Sequence, residues 1–362
     1  MDTVKRKNTR KVMCRNIPIG GGSPISIQSM TNTDTRDVDS TLEQIKRLQK
    51  AGCQIIRLAV PDMEAAEAFG KIRKKTDMPL VADIHFDYRL AVAAIEKGAD
   101  KVRINPGNIG SEERVRAVID AAKERRIPVR IGVNSGSVER DILAGYGGPC
   151  AEGLVESAVR KIELVESMDF DDIVVSVKAS DVVMNYQAYM LISQKTDHPL
   201  HIGVTESGDP KRGTIKSAAG LGALLLNGVG DTLRVSLTGD PVAEIPVARE
   251  LLKCTGDLDA GINLISCPTC SRCHTDMPSI TERLMKKVEV LEAEMIQKNL
   301  PGIDLAVMGC AVNGPGEASH ADIGVACGDG KGVIFKKGKI IDTVKEAEIE
   351  TRLLEELKQM IM

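Results

Sequence analysis

The chain has 362 residues, room for one large domain and a smaller one, and a formal net charge of -3 that argues against a polyanion-coating surface. Aromatic residues make up 2% and tryptophan is absent, so the core is aliphatic and the exposed rings that stack single-stranded nucleic acid are lacking. No run approaches the roughly 20 apolar residues of a membrane helix, so neither nucleic acid nor membrane is an expected partner.

The first stretch, Met1 to Lys11, is basic and lacks the apolar segment of a signal peptide. Lys5-Arg6-Lys7 reads as a solvated tail, and Gly20-Gly21-Gly22, without the context of a dinucleotide fingerprint, as a turn. Nine cysteines favour a reducing, cytoplasmic setting with free or metal-bound thiols over a disulfide framework. Five of them, Cys14, Cys53, Cys150, Cys254 and Cys327, stand singly and read as small buried hydrophobes.

From Ile25 to Leu237 a short β-branched run is followed, again and again, by a longer segment with apolar residues three and four apart. The short runs are Ile25–Met30, Gln54–Ala59, Leu80–His85, Lys101–Asn105, Val129–Val133, Ile173–Lys178, Leu200–Val204 and Thr232–Leu237. Helix-like segments lie between and after them, from Thr41–Lys50 to Val242–Lys253, and Gly often follows, as in Ala51-Gly52, where a left-handed cap is wanted. Eight alternations with no strand left over predict an α/β fold, a closed (β/α)8 TIM barrel over residues 1–258, in preference to an open doubly wound sheet. After a polar linker, Thr255–Ala260, a smaller α/β domain over 259–362 is expected. It would hold a helix at Ser279–Asn299, a strand at Ile303–Met308, two short strands around Cys327-Gly328-Asp329-Gly330 and an amphipathic helix at Val344–Ile361.

Barrel enzymes keep their working residues at the C-terminal strand ends. Here those ends carry Arg57, Asp83, His85, Arg103, Asn105, Arg130 and Asn134, and then Lys178, Thr205, Glu206, Arg234 and Ser236. Five cations on five strands repel one another, and burying them is costly unless an anion compensates. A phosphate or diphosphate substrate resolves this, because guanidinium forks match phosphate oxygens.

The second domain opens on Cys267-Pro268-Thr269-Cys270, answered by Gly309-Cys310 and Asn313-Gly314-Pro315-Gly316-Glu317. Zinc would take Cys267, Cys270, Cys273 and Cys310 as a tetrahedral set. Alternatively, Cys267, Cys270 and Cys273 mimic the spacing that holds a [4Fe–4S] cluster in bacterial ferredoxins. Spacing does not separate these readings, nor does it say whether Cys273 or Glu317 completes the set.

Several segments resemble those of the bacterial 4-hydroxy-3-methylbut-2-enyl diphosphate synthase family. They are Ser29-Met30-Thr31-Asn32-Thr33-Asp34-Thr35, Ala82-Asp83-Ile84-His85-Phe86, Arg103-Ile104-Asn105-Pro106-Gly107-Asn108 and Arg130-Ile131-Gly132-Val133-Asn134-Ser135-Gly136-Ser137. So are Ser266-Cys267-Pro268-Thr269-Cys270 and Met308-Gly309-Cys310 running through Glu317, in the same order along the chain. The resemblance implies a barrel joined to an iron–sulfur domain, and a homodimer in which one subunit's cluster closes over the other's barrel. It implies reductive opening and dehydroxylation of 2-C-methylerythritol 2,4-cyclodiphosphate in non-mevalonate isoprenoid synthesis, with electrons from reduced flavodoxin or ferredoxin. Carried over by motif, the [4Fe–4S] ligands are Cys267, Cys270, Cys310 and Glu317; Cys273 departs from the family pattern. The diphosphate would be clamped by Arg57, Arg103, Arg130, Lys178 and Arg234 and oriented by Asn105, Asn134 and Ser236. Glu206 is the candidate proton donor, with Asp83 and His85 in reserve. Two rivals are a non-catalytic electron carrier, which leaves the five cations unexplained, and a colourless zinc-stapled barrel lyase.

Overall fold

The computed structural model describes residues 4–298, 300–310, 316, 318–328 and 330–362. The chain divides into two compact units, Met1–Leu258 and Asp259–Met362. Among the described residues no helix is long and apolar enough to cross a membrane.

The first unit begins with an antiparallel hairpin, β1 (Lys11–Cys14) and β2 (Ile17–Gly20), that periodicity did not predict. Eight strands follow: β3 (Ser26–Met30), β4 (Ile55–Ala59), β5 (Leu80–Asp83), β6 (Lys101–Ile104), β7 (Val129–Asn134), β8 (Ile173–Lys178), β9 (His201–Ile202) and β10 (Thr232–Leu233). They form one parallel sheet in the order β8-β7-β6-β5-β4-β3-β10-β9. The ring is completed by a parallel bridge between Val175 and Leu200, so the expected barrel is what the chain forms. β9 and β10 are shorter than their apolar runs suggested.

Helices alternate with the strands, and many are started by an acidic cap: Asp62, Asp181 and Asp209 each accept a backbone N–H of the first turn. Two further helices, Pro106–Ile109 and Arg140–Tyr146, lie in loops after β6 and β7. A large aliphatic cluster fills the space between strands and helices, with Ile56, Leu80, Val102 and Ile131 facing Leu48, Phe69, Ile95 and Ile119. A second, smaller cluster joins Val12, Cys14 and Ile19 of the hairpin to Ile55, Val81 and Val174. The hairpin therefore packs against strand residues of opposite parity to those that meet the helices.

The basic start is not a solvated tail. Arg6 donates to the carbonyls of Ser23 and Gly230 and pairs with Asp231, while Lys7 donates to Gly228 O and Thr196 O. These contacts strap residues 6–10 across the segments leading into β9 and β10. Of the single cysteines, Cys14, Cys53 and Cys327 are buried as expected, but Cys254 is exposed and Cys150 is half-buried, its Sγ accepting from Gly153 N as a helix cap.

The second unit is a five-stranded sheet in the order β11 (Ile262–Ser266), β12 (Ile303–Met308), β13 (Ile323–Gly328), β14 (Lys331–Lys336), β15 (Lys339–Lys345). The first three run parallel and the last two antiparallel. Helices Met277–Gln297 and Ile349–Ile361 cover one face through Leu284, Val288, Leu353 and Leu357. β11 and β15 were not foreseen, and the last helix starts at Ile349 rather than Val344, because the segment from Lys339 to Lys345 pairs with β14.

Candidate active site

Strand alternation sorts the barrel residues. Ile27, Leu58, Val102, Ile131 and Val175 pack on the helices, which turns Arg57, Asp83, Arg103, Arg130 and Lys178 inward. The structure brings these five together. Asp83 is buried and is their one carboxylate: its Oδ1 lies 3.3 Å from Arg103 Nη1, and its Oδ2 lies 3.8 Å from Arg57 Nε and 3.6 Å from His85 Nε2. Burial pushes the Asp83 carboxyl up, but Arg57, the neighbouring His85 ring, Arg103 and Arg130 together outweigh it and hold it below the usual carboxylate range.

The cations feel the opposite imbalance. Burial lowers Arg57 to about 10, with Asp83 opposing and Arg234 and Arg103 adding. Arg130 is 1% exposed, and its Nε and Nη1 have no hydrogen-bond partner. Burial first, then Arg57 and Arg103, drive its pKa well below the ordinary value. A guanidinium does not deprotonate in proteins, so this is repulsion held within the fold. Lys178 is driven down in the same way by burial and then by Arg130, Arg57 and Arg234. Arg234 differs: Glu244, buried at the start of helix Glu244–Cys254, takes its Nε at 3.2 Å and its Nη2 at 3.0 Å. Sequence reasoning missed Glu244. Its signal was only a carboxylate ten residues beyond a strand-end arginine, with no motif around it.

Sequence reasoning also passed over two glycines. A Cβ on Gly132 would stand 2.6 Å from Arg103 Nε, and one on Gly203 would stand 2.5 Å from Lys178 Nζ. Gly132 is an inward position of β7 and Gly203 follows directly after β9, and their missing side chains give the long cations room to lie flat.

Beside this cluster is a cavity of about 340 Å³ lined by His85, Arg103, Asn105, Asn134, Thr205 and Glu206. Asn105 caps the Pro106–Ile109 turn through Gly107 N and donates Nδ2 to Ser137 Oγ at 3.1 Å. Ser137 Oγ in turn binds Asn134 N and O, tying the loops after β6 and β7 together. Glu206 is exposed and holds a left-handed backbone at φ 53°, an uncommon state for a non-glycine residue and one that recurs at functional sites. Ser236 is half-buried and lies outside the residues lining this cavity.

In the second unit, β11 and β12 are adjacent and parallel, with Ser266 opposite Val307. Cys267 and Cys310 therefore leave neighbouring strand ends, and Cys267 N donates to Val307 O at 3.1 Å. Cys270 is exposed in the following turn. The sulfur of Cys273 donates to Thr275 O at 3.3 Å and lies where a Gly309 Cβ would stand 2.7 Å away, so it packs against the backbone beside Cys310. Glu317 and 311–315 lie outside the described residues. Among the described residues no three potential ligands are drawn together, but the donor chemistry, soft thiols at adjacent strand ends, fits an iron–sulfur group.

Two family models cover the chain: a GcpE TIM-barrel domain over residues 9–249 and a GcpE protein C-terminal domain over residues 263–359. A curated relative from Caldanaerobacter subterraneus subsp. tengcongensis, named 4-hydroxy-3-methylbut-2-en-1-yl diphosphate synthase (flavodoxin), is 54% identical over 98% of each chain. Relatives of the same name from Clostridium perfringens and Fusobacterium nucleatum are each 56% identical, over 97% and 98% of this chain and 98% and 97% of their own. Among solved structures, a type I 3-dehydroquinate dehydratase from Clostridium difficile matches 69% of this chain and 100% of its own, with TM-score 0.51 at 16% identity, a likeness of fold alone. With both units matched in order and the relatives aligned nearly end to end, the chain belongs to the GcpE family.

Proposed function

We propose that this chain catalyses the reductive ring opening and dehydroxylation of 2-C-methylerythritol 2,4-cyclodiphosphate to 4-hydroxy-3-methylbut-2-enyl diphosphate. The observation that carries the reading is the excess of buried cation: Arg103 at the mouth and Arg130 one layer beneath it keep buried N–H groups without partners, and Asp83 is the one carboxylate set among Arg57, Arg103, Arg130 and Lys178. A diphosphate would supply the missing acceptors.

Arg57, Arg103, Arg130 and Lys178 bind the diphosphate and absorb the charge that grows on it as the ring C–O bond breaks. Arg234, just after β10 and oriented by Glu244, completes the clamp, and Asn105, Asn134 and Ser236 hydrogen-bond the substrate's hydroxyl groups. Asp83 is assigned as a counter-ion and not as an acid, because its neighbours keep it ionised. The proton that lets the second oxygen leave as water comes from Glu206, or from His85, whose 58%-exposed ring reloads from solvent.

Cys267, Cys270, Cys310 and Glu317 would hold a [4Fe–4S] cluster, which when bound supplies two electrons singly from reduced flavodoxin or ferredoxin and a Lewis-acidic iron. A carboxylate is a weaker partner for such iron than a thiolate, which suits Glu317 to yield its place. The working form is assigned as a cytoplasmic homodimer in which one protomer's second unit caps its partner's barrel. Anaerobically purified protein should be brown and, with the cyclic diphosphate and a low-potential reductant, release the linear diphosphate. Iron-free protein, or no product from iron-loaded protein, refutes the reading.

A further inference from the structure

One layer below the mouth, the barrel interior is polar where such barrels are ordinarily packed with branched aliphatic side chains. Gln28, Lys101, Arg130 and His201 each precede by two residues an inward position at the mouth (Met30, Arg103, Gly132 and Gly203), so strand alternation turns them inward as well. All four are at most 1% exposed. Both polar atoms of Gln28, Nζ of Lys101, Nε and Nη1 of Arg130 and both ring nitrogens of His201 lack a hydrogen-bond partner. Ile55, Val81 and Val174 are the cross-strand partners of Gln28, Lys101 and Arg130 and form one apolar cluster with Cys14 of the hairpin. Buried polar atoms in such number are satisfied by ordered water.

We propose that Lys101 is a proton-uptake site: linked through interior water to Arg130 and His201, it binds a proton when an anion occupies the mouth above. This rests on the mouth being the diphosphate site. The charged and titratable groups facing Lys101 are Cys14 from the hairpin, Arg57 from β4, Arg130 from β7 and His201 from β9. No carboxylate serves it: the adjacent Asp100 is taken by Arg73 and by Leu80 N. Burial lowers the Lys101 amine to about 8, with Cys14 opposing and Arg130 and Arg57 adding. Burial lifts Cys14 to about 11, and burial with Arg130 and Lys178 keeps His201 neutral. In this layer Lys101 is thus the group that changes charge near pH 8. A dianion above Arg130 cancels the repulsion that favours the neutral amine.

The cyclic diphosphate suits the test because each phosphorus carries one strongly acidic proton, already lost at pH 8. Its binding to unreduced holoenzyme is measured by calorimetry at pH 8 in buffers of different ionisation heat. Wild type should take up protons, and Lys101→Met should lower the uptake by up to about half a proton while keeping one ligand per site. The ¹⁵Nζ resonance of Lys101 in wild type should move from a part-neutral to a fully protonated position on ligand addition. Equal uptake in both proteins, or an unmoved resonance, overturns the proposal with the mouth assignment intact. No binding heat in wild type overturns the mouth assignment, and the proposal with it.

Discussion

Replacing Glu244 by Gln tests the charge balance of the mouth at Arg234, whose carboxylate partner lies outside the Asp83 cluster. Four donors converge on the Glu244 carboxylate: Arg234 Nε and Nη2 at 3.2 and 3.0 Å, Ser29 Oγ at 2.7 Å and Leu237 N at 3.2 Å. Glutamine keeps the shape but turns one acceptor into a donor and removes the charge. Breaking a buried ion pair from one side costs about 3–5 kcal/mol. The retained amide oxygen places this variant near the lower bound, about 3 kcal/mol. For a unit of the size of Met1–Leu258, where each kcal/mol moves Tm by roughly 2–4 °C, the melt should fall by about 6–12 °C. The freed Arg234 then adds to the charge awaiting a diphosphate, so saturating cyclic diphosphate should stabilise E244Q more than wild type and narrow the gap. Scanning calorimetry of both proteins, with and without ligand, reads this directly. A variant that melts with the wild type, or a gap unaltered by ligand, would show that Glu244 does not hold Arg234 in the way the distances indicate.

Arg130→Ala should raise KM about 10- to 100-fold, the loss of a charge-assisted hydrogen-bond pair, and leave the visible absorption of the cluster unchanged; unaltered kinetics would refute its role. Cys273→Ser should keep both absorption and turnover, since its sulfur packs on Gly309, whereas Cys310→Ser should lose both. Gly203→Ala puts a methyl 2.5 Å from Lys178 Nζ and 2.9 Å from Arg234 O, so kcat/KM should fall with the circular dichroism spectrum preserved. Lys101→Met should be the more stable protein at pH 7. A folded pKa near 8 against 10.5 unfolded means that the native state binds fewer protons in that window, so the lysine's penalty is full below 8, on the order of 3 kcal/mol, and fades as pH rises towards 10.5. A lower Tm for this variant at pH 7 would contradict the buried-amine account.

The eight barrel strands were legible because each is short, β-branched and bounded by turn residues, and most of the cations because strand ends are where a barrel exposes its interior; Arg130, read as a strand-end residue, is instead the second residue of β7 and lies a layer deeper. What stayed hidden depends on contacts between distant residues. Arg6 and Lys7 look solvent-bound in sequence, yet their acceptors lie at Thr196, Gly228 and Gly230, some two hundred residues on. β15 alternates weakly because both faces of Lys339–Lys345 are largely exposed, so periodicity merged it with the helix that follows.

The glycines carry the more general point. Gly132 and Gly203 would ordinarily be read as weaknesses within strands, since glycine has no side chain to pack. In a barrel that must seat several long cations under one ligand, a missing side chain is the space in which an arginine or lysine lies. Alternation makes such positions findable: an inward strand glycine next to an inward Arg or Lys on the neighbouring strand marks a charged layer, not a loose one. The same parity places Lys101 and His201 beneath that layer. The electrostatic stress of the mouth therefore extends into the body of the barrel, where an anion bound above can relieve it.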